Sequence, residues 1–198
     1  MTQQSLKVRR ADRSGNGVLV EAHLEDHAWV VQFMAEPRTS PQALWFHVEA
    51  EGAGDRRVRF LWLNADSCLG LHSPEQLGQV HPVVRVNGGD WQRVPGEVFE
   101  RPAGGHLLGF TTPSKCRQAA AAFCYPYTPA DLSRTLKALR AVWRREPIGL
   151  TGAGRPLPRL RAGAAEGPGA YIAARQHAGE SPGSWVLDGL LRAVAEGG

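Results

Sequence analysis

Cysteine is scarce in this chain of 198 residues. Only Cys68, Cys116 and Cys124 occur, and no two of them make a CxxC pair. An odd count without paired spacing argues against a disulfide framework and points to reduced thiols in a cytoplasmic compartment. The N-terminus, MTQQSLKVRRADRSG, lacks the apolar core of a secretory leader. No run approaches the ~18 consecutive apolar residues of a membrane helix, so no membrane partner is expected. The chain also lacks a basic stripe. Its net charge of +4 comes mostly from scattered arginines, with short clusters at Arg9–Arg10, Arg56–Arg57 and Arg144–Arg145. Without interleaved aromatics these predict no nucleic-acid face. Gly152–Pro156 lacks the Lys-Ser/Thr end of a phosphate loop and reads as a hairpin turn.

What is present is enough for a packed core: 42% hydrophobic and 21% charged residues. The length suits one domain and part of a second. From Gly17 to about Tyr125 the pattern is that of strands. Val18–Val20, Trp29–Met34, Leu44–Val48, Val58–Leu63, Val83–Val86, Trp91–Val94, Leu107–Phe110 and Ala120–Cys124 are short runs rich in Val, Phe, Trp and Leu. Turn residues separate them, notably Gly52–Asp55, Asn87–Asp90 and Ala103–Gly105. This spacing predicts an antiparallel two-sheet sandwich, with Trp45, Phe46, Phe60 and Trp62 in its core.

The texture changes after Tyr127. Thr128 predicts a helix cap with Pro129 at the first helical position, and Leu132, Leu136, Leu139 and Val142 recur at helical spacing. Pro147 is expected to end that helix. Ile148–Thr151 and Leu157–Leu160 read as paired strands. After a Gly/Ala/Pro linker, Ala170–Ala174 reads as a buried parallel-sheet strand. Ser181 then predicts an N-cap with Pro182 after it, for a helix whose Trp185, Val186, Leu190, Leu191 and Val194 form one apolar face. Trp185 is expected in the core, and Tyr125–Thr128 as a packing hinge.

Between that strand and that helix, His177 and Glu180 stand three apart around Gly179. An imidazole and a carboxylate at this spacing can grip one zinc ion from the same side. They can equally form a polar turn in which Glu180 favours the helix N-terminus. Arg175 can help bind an anionic substrate or face solvent beside the turn. His23 and His27 straddle a strand turn and read as surface.

Gly169–Leu191, with RQHAGESPGSWVLDGLL at its heart, resembles the signature of zinc metallocarboxypeptidases, in the branch that includes the cytosolic carboxypeptidases. AFCYPYTPADLSRTL resembles that branch's YxYPYTxxDL segment. RSGNGVLVEAHLED, LWFHVEAEGAGDRRVRFLWLNADSCL and HPVVRVNGGDWQRVP resemble three successive parts of its N-terminal domain. The resemblance implies that His177 and Glu180 are the first two zinc ligands, and that zinc is the cofactor. It also implies that free C-termini of peptides or proteins are the substrates. The family's third ligand, a His, its general-base Glu and its carboxylate-binding Arg all lie well downstream of HxxE. None of the seven histidines here comes after His177. No catalytic residue is therefore expected within this chain, which reads as a fragment, truncated product or partial chain. The fold expected is a frayed segment 1–14, then an antiparallel β-sandwich at 15–127. The opening of an α/β zinc carboxypeptidase domain comes next at 128–198: helix, strands, HxxE turn, helix. The competing reading is a non-catalytic sandwich module, for binding or folding, with a vestigial motif.

Overall fold

Alternation of large apolar and polar residues builds the core. In the computed structural model, which describes residues 5–11, 14–37, 40, 42–164 and 166–197, Val58, Phe60 and Trp62 are fully buried while Arg59 and Leu61 are partly exposed. The chain divides into two units, Met1–Pro126 with His177–Ser181, and Tyr127–Gln176 with Pro182–Gly198. The HxxE turn thus groups with the first unit, whereas its place in the sequence suggests the second.

The first unit is nearly all sheet. Its elements are β1 (Lys7–Arg10), β2 (Val18–Glu25), β3 (Ala28–Met34), β4 (His47–Arg56), β5 (Val58–Trp62), α1 (Ala65–Leu69), α2 (Pro74–Gly78), β6 (Val83–Val86), β7 (Gln92–Arg93), β8 (Glu97–Glu100), β9 (His106–Thr111) and β10 (Cys116–Ala122). They form two five-stranded sheets, ordered β1-β4-β10-β6-β7 and β2-β3-β5-β9-β8. One apolar cluster draws on both: Val31, Phe33, Phe60, Trp62 and Phe110 from one, Val48, Ala50, Val84 and Ala121 from the other. Phe46, beside β4, packs its ring at 4.8 Å from Trp62 and 5.0 Å from Phe33. Alanines fill β10, so its neighbours' large rings find room.

Three expectations need correction. Lys7–Arg10 is not frayed: it pairs with β4, and Arg9 reaches Glu49 at 2.7 Å across that ladder. Nor are the sheets purely antiparallel. β3 runs parallel to β5, because the long excursion through β4 returns the chain in the same direction. Two short helices also lie between β5 and β6, too brief for helical periodicity to register. The hairpin between β2 and β3 turns on Asp26 and His27, both with positive φ (45° and 65°), as a tight two-residue connection of primed type needs.

Cys68, Cys116 and Cys124 are free and buried. Burial pushes the Cys68 and Cys116 thiols up, which keeps them protonated and unreactive.

The second unit holds α3 (Pro129–Ala138), β11 (Arg144–Leu150), β12 (Pro156–Arg161) and α4 (Ser181–Glu196), of which Ser181 groups with the first unit. Thr128 caps α3 with a reciprocal box: the Asp131 carboxylate takes the Thr128 backbone N–H at 2.7 Å while the Thr128 hydroxyl accepts from the Asp131 N–H. The helix stops at Ala138, well before Pro147. That proline lies inside β11, which forms an antiparallel hairpin with β12. Proline fits there because a two-stranded hairpin leaves each strand one free edge.

Candidate metal site

The turn from His177 to Glu180 is closed by its own groups. The Glu180 backbone N–H donates to the His177 carbonyl at 3.2 Å. The His177 N–H donates to Glu180 Oε2 at 3.1 Å, and His177 Nδ1 lies 2.6 Å from Glu180 Oε1. Both side chains thus emerge on the same side of the turn, each half or more exposed to solvent. Gly179, between them, packs against Leu44 and Phe123 of the same unit.

The elements on either side differ from expectation. Residues 170–174 form no strand. A parallel strand exists only by pairing with neighbours, and none of the described strands pairs with this run. Tyr171 and Ile172 stand exposed instead. Ser181 is the first residue of α4 rather than its side-chain cap; it is fully buried and its Oγ has no hydrogen-bond partner. On α4 Leu191 is buried, but Val186, Leu190 and Val194 are exposed. Trp185 is not core either. It is 43% exposed, with its ring edge-on to Tyr127 at 4.9 Å.

Arg175 has a positive φ of 58° and is half-buried. Its Nη1 donates to the Tyr127 carbonyl at 2.7 Å, and burial lowers its pKa from the ordinary guanidinium value. This bond ties the cation to the backbone of its own unit.

A polar cluster that sequence reading did not single out lies in the second unit. Asp188 Oδ1 accepts from the Tyr127 hydroxyl at 3.0 Å and from the Thr135 hydroxyl; Asp188 Oδ2 accepts from Arg192 Nε at 2.8 Å. Burial first, then the Asp188 hydrogen bond and charge, push the Tyr127 phenol up to about 12. The i, i+4 spacing of Asp188 and Arg192 was the available signal. The cluster ties α3 to α4 and keeps Tyr127 protonated as a donor.

The donor set of the turn suits zinc in kind. A neutral imidazole and a carboxylate are both accepted at roughly 2.0–2.2 Å, which calls for two donor atoms only a few ångströms apart on one side of the chain. His177 Nδ1 and Glu180 Oε1 meet that condition. They make two donors where zinc sites take three or four. Among the described residues no group of three or more His, Cys, Asp or Glu side chains is disposed around one point. His23 sits instead beside Glu21 and Glu25, and His47 beside Ser14.

No family model matches the sequence, and no curated protein does. Solved structures do. A metallo-carboxypeptidase from Burkholderia cenocepacia aligns over 98% of this chain and 50% of its own, with a TM-score of 0.78 and 24% identity. A metallo-carboxypeptidase from Pseudomonas aeruginosa aligns over 94% of this chain and 48% of its own, with a TM-score of 0.65 and 22% identity. The likeness is one of fold. This chain has a fold found in bacterial metallo-carboxypeptidases and spans about half the length of those proteins.

Proposed function

We propose that this chain is the N-terminal part of a zinc metallocarboxypeptidase of the cytosolic branch. On this reading residues 15–127 are its N-terminal β-sandwich domain and residues 128–198, with the HxxE turn, open its α/β catalytic domain. The observation that carries the proposal is the 2.6 Å approach of His177 Nδ1 to Glu180 Oε1, in an HxxE turn, within a fold shared with metallo-carboxypeptidases. His177 and Glu180 would supply two zinc ligands. With the remaining ligands in place, a zinc ion held there would supply Lewis-acid chemistry toward a peptide carbonyl and a bound water, which suits removal of C-terminal amino acids from peptides or proteins. The third ligand, the proton-accepting Glu and the carboxylate-holding Arg implied by the resemblance come from polypeptide beyond residues 1–198. Residues 1–198 alone are therefore inactive. Zinc is the cofactor proposed and the cytoplasm the compartment.

The Glu180 carboxylate has two parts in this scheme. One oxygen faces the imidazole, while the other takes the His177 backbone N–H and so fixes the turn. Ligands held by hydrogen bonds from their surroundings lose less freedom when a metal arrives.

A second reading is a non-catalytic sandwich module, for binding or folding, with a vestigial motif. It draws on the lack of a third donor among the described residues. Equilibrium dialysis separates the two. Saturable zinc uptake by residues 1–198 that disappears in both His177→Ala and Glu180→Ala supports the enzyme reading. Uptake equal in all three proteins supports the module.

A further inference from the structure

Two unusual backbone features meet at the HxxE turn, and both lie in the first unit. Leu44 adopts φ of +51°, in the left-handed region that a leucine rarely enters. Its carbonyl oxygen lies where a Cβ on Gly179 would have to go: an added methyl would stand 2.4 Å from that oxygen and 3.0 Å from the Phe123 ring. Glycine is thus required at 179 by close approach, since its own φ is not among the positive ones.

The two residues next along the chain hold the strain at Leu44 in place. Trp45 is buried and its Nε1 donates to the Ser14 carbonyl at 2.7 Å. Phe46 is fully buried in the main core, and its carbonyl accepts the Phe123 N–H at 3.1 Å. Two consecutive anchored aromatics thus fix the chain directly after Leu44. Phe123 in turn stands against Trp62, with ring centroids 6.1 Å apart. The Leu44 carbonyl and the Phe123 ring are therefore rigid extensions of the sandwich core, and they close on the one residue that separates Ala178 from Glu180. Strain that the surroundings over-determine, found beside a candidate site, is a pointer to use.

The geometry points to Leu44, Phe123 and Gly179 as positioning residues for the metal turn: the β-sandwich holds His177 and Glu180 in the shape that grips zinc. This rests on the zinc reading above. The role belongs to the Leu44 backbone, which allows the side chain to be varied. Leu44→Asn keeps the left-handed conformation, because Asn tolerates it, whereas Leu44→Val resists it through β-branching.

The test compares zinc affinity by equilibrium dialysis, with thermal melting alongside, for residues 1–198 and four variants. Gly179→Ala and Leu44→Val should each weaken zinc binding by about tenfold or more, the range typical of lost supporting contacts around a metal ligand. Leu44→Asn should bind as the parent does. Gly189→Ala, a glycine with nothing near its Cβ position, should also bind as the parent does. Should Gly179→Ala fail to fold, the contrast between Leu44→Val and Leu44→Asn decides. Parent-like affinity in Gly179→Ala or Leu44→Val overturns the proposal, as does weakening in Leu44→Asn equal to that in Leu44→Val. Parent binding unaffected by His177→Ala would instead remove the zinc reading itself, which distinguishes the two failures.

Discussion

His177 Nδ1 lies 2.6 Å from Glu180 Oε1, while the other oxygen of the same carboxylate takes the His177 backbone N–H at 3.1 Å. One carboxylate therefore both shapes the turn and faces the imidazole. Mutation should separate the two roles. Glu180→Gln keeps an oxygen for the backbone N–H but weakens the metal donor, so it should retain the turn and lose zinc. Glu180→Ala should lose both. Zinc dialysis reads the first effect, and the His177 amide shift in NMR reads the second.

The chain 1–198 should release no amino acids from peptides with free C-termini, even with zinc supplied. Two donors leave the ion short of a catalytic ligand set. Amino-acid analysis after prolonged incubation checks this. Zinc-dependent release above that of a His177→Ala control would contradict it.

Asn64 should be costly to remove. Its Oδ1 accepts from the Ala35 N–H and Trp62 Nε1, both at 3.0 Å, and its Nδ2 donates to the Ala35 carbonyl at 2.8 Å, all buried. Asn64→Ala strands two buried N–H donors, leaves the Ala35 carbonyl only the weak Cys68 thiol bond at 3.8 Å, and should lower stability by about 3 kcal/mol. Urea unfolding measures the loss; a change below about 1 kcal/mol would show that the groups find other partners.

His47 should make the first unit sensitive to acid. It is buried, with its ring edge-on to Trp45 and Trp91 and its Nε2 without a partner. Burial, and secondarily the charge of Arg85, lower its pKa from 6.5 to about 4. The unfolded chain takes up this proton below pH 6.5, the folded chain only near pH 4. Stability is thus fully present above pH 6.5 and falls as pH drops toward 4, with about 2 kcal/mol lost by pH 5. Unfolding midpoints at about pH 7.5 and about pH 5, either side of the ordinary imidazole range, should show His47→Gln losing less than the parent by that amount. Equal losses would contradict the assignment.

Many strands of the two sheets were legible because burial on one face imposes a period of two on strands such as Val58–Trp62. The α3 cap was legible because Thr128, Pro129 and Asp131 act within one turn. What escaped depends on partners distant in sequence. Lys7–Arg10 looks like a polar tail until β4 is beside it. Ala170–Ala174 has a strand's composition, but composition supplies no neighbour to pair with. Gly179 reads as ordinary turn flexibility, while its actual constraint is a carbonyl at Leu44, and nothing about a leucine announces a positive φ. The His177–Glu180 contact lies within one turn, so the sequence could suggest it; the approach of Leu44 and Phe123 to Gly179 spans distant residues and could not be read.

The most direct test of the zinc assignment is an NMR titration of residues 1–198 labelled with ¹⁵N in the histidine rings. Zinc should shift the His177 ring nitrogens saturably, ahead of those of His23, His27, His47, His72, His81 and His106, and Glu180→Gln should abolish the effect. Zinc perturbation centred on any other histidine, or a His177 response unchanged in Glu180→Gln, would contradict the assignment.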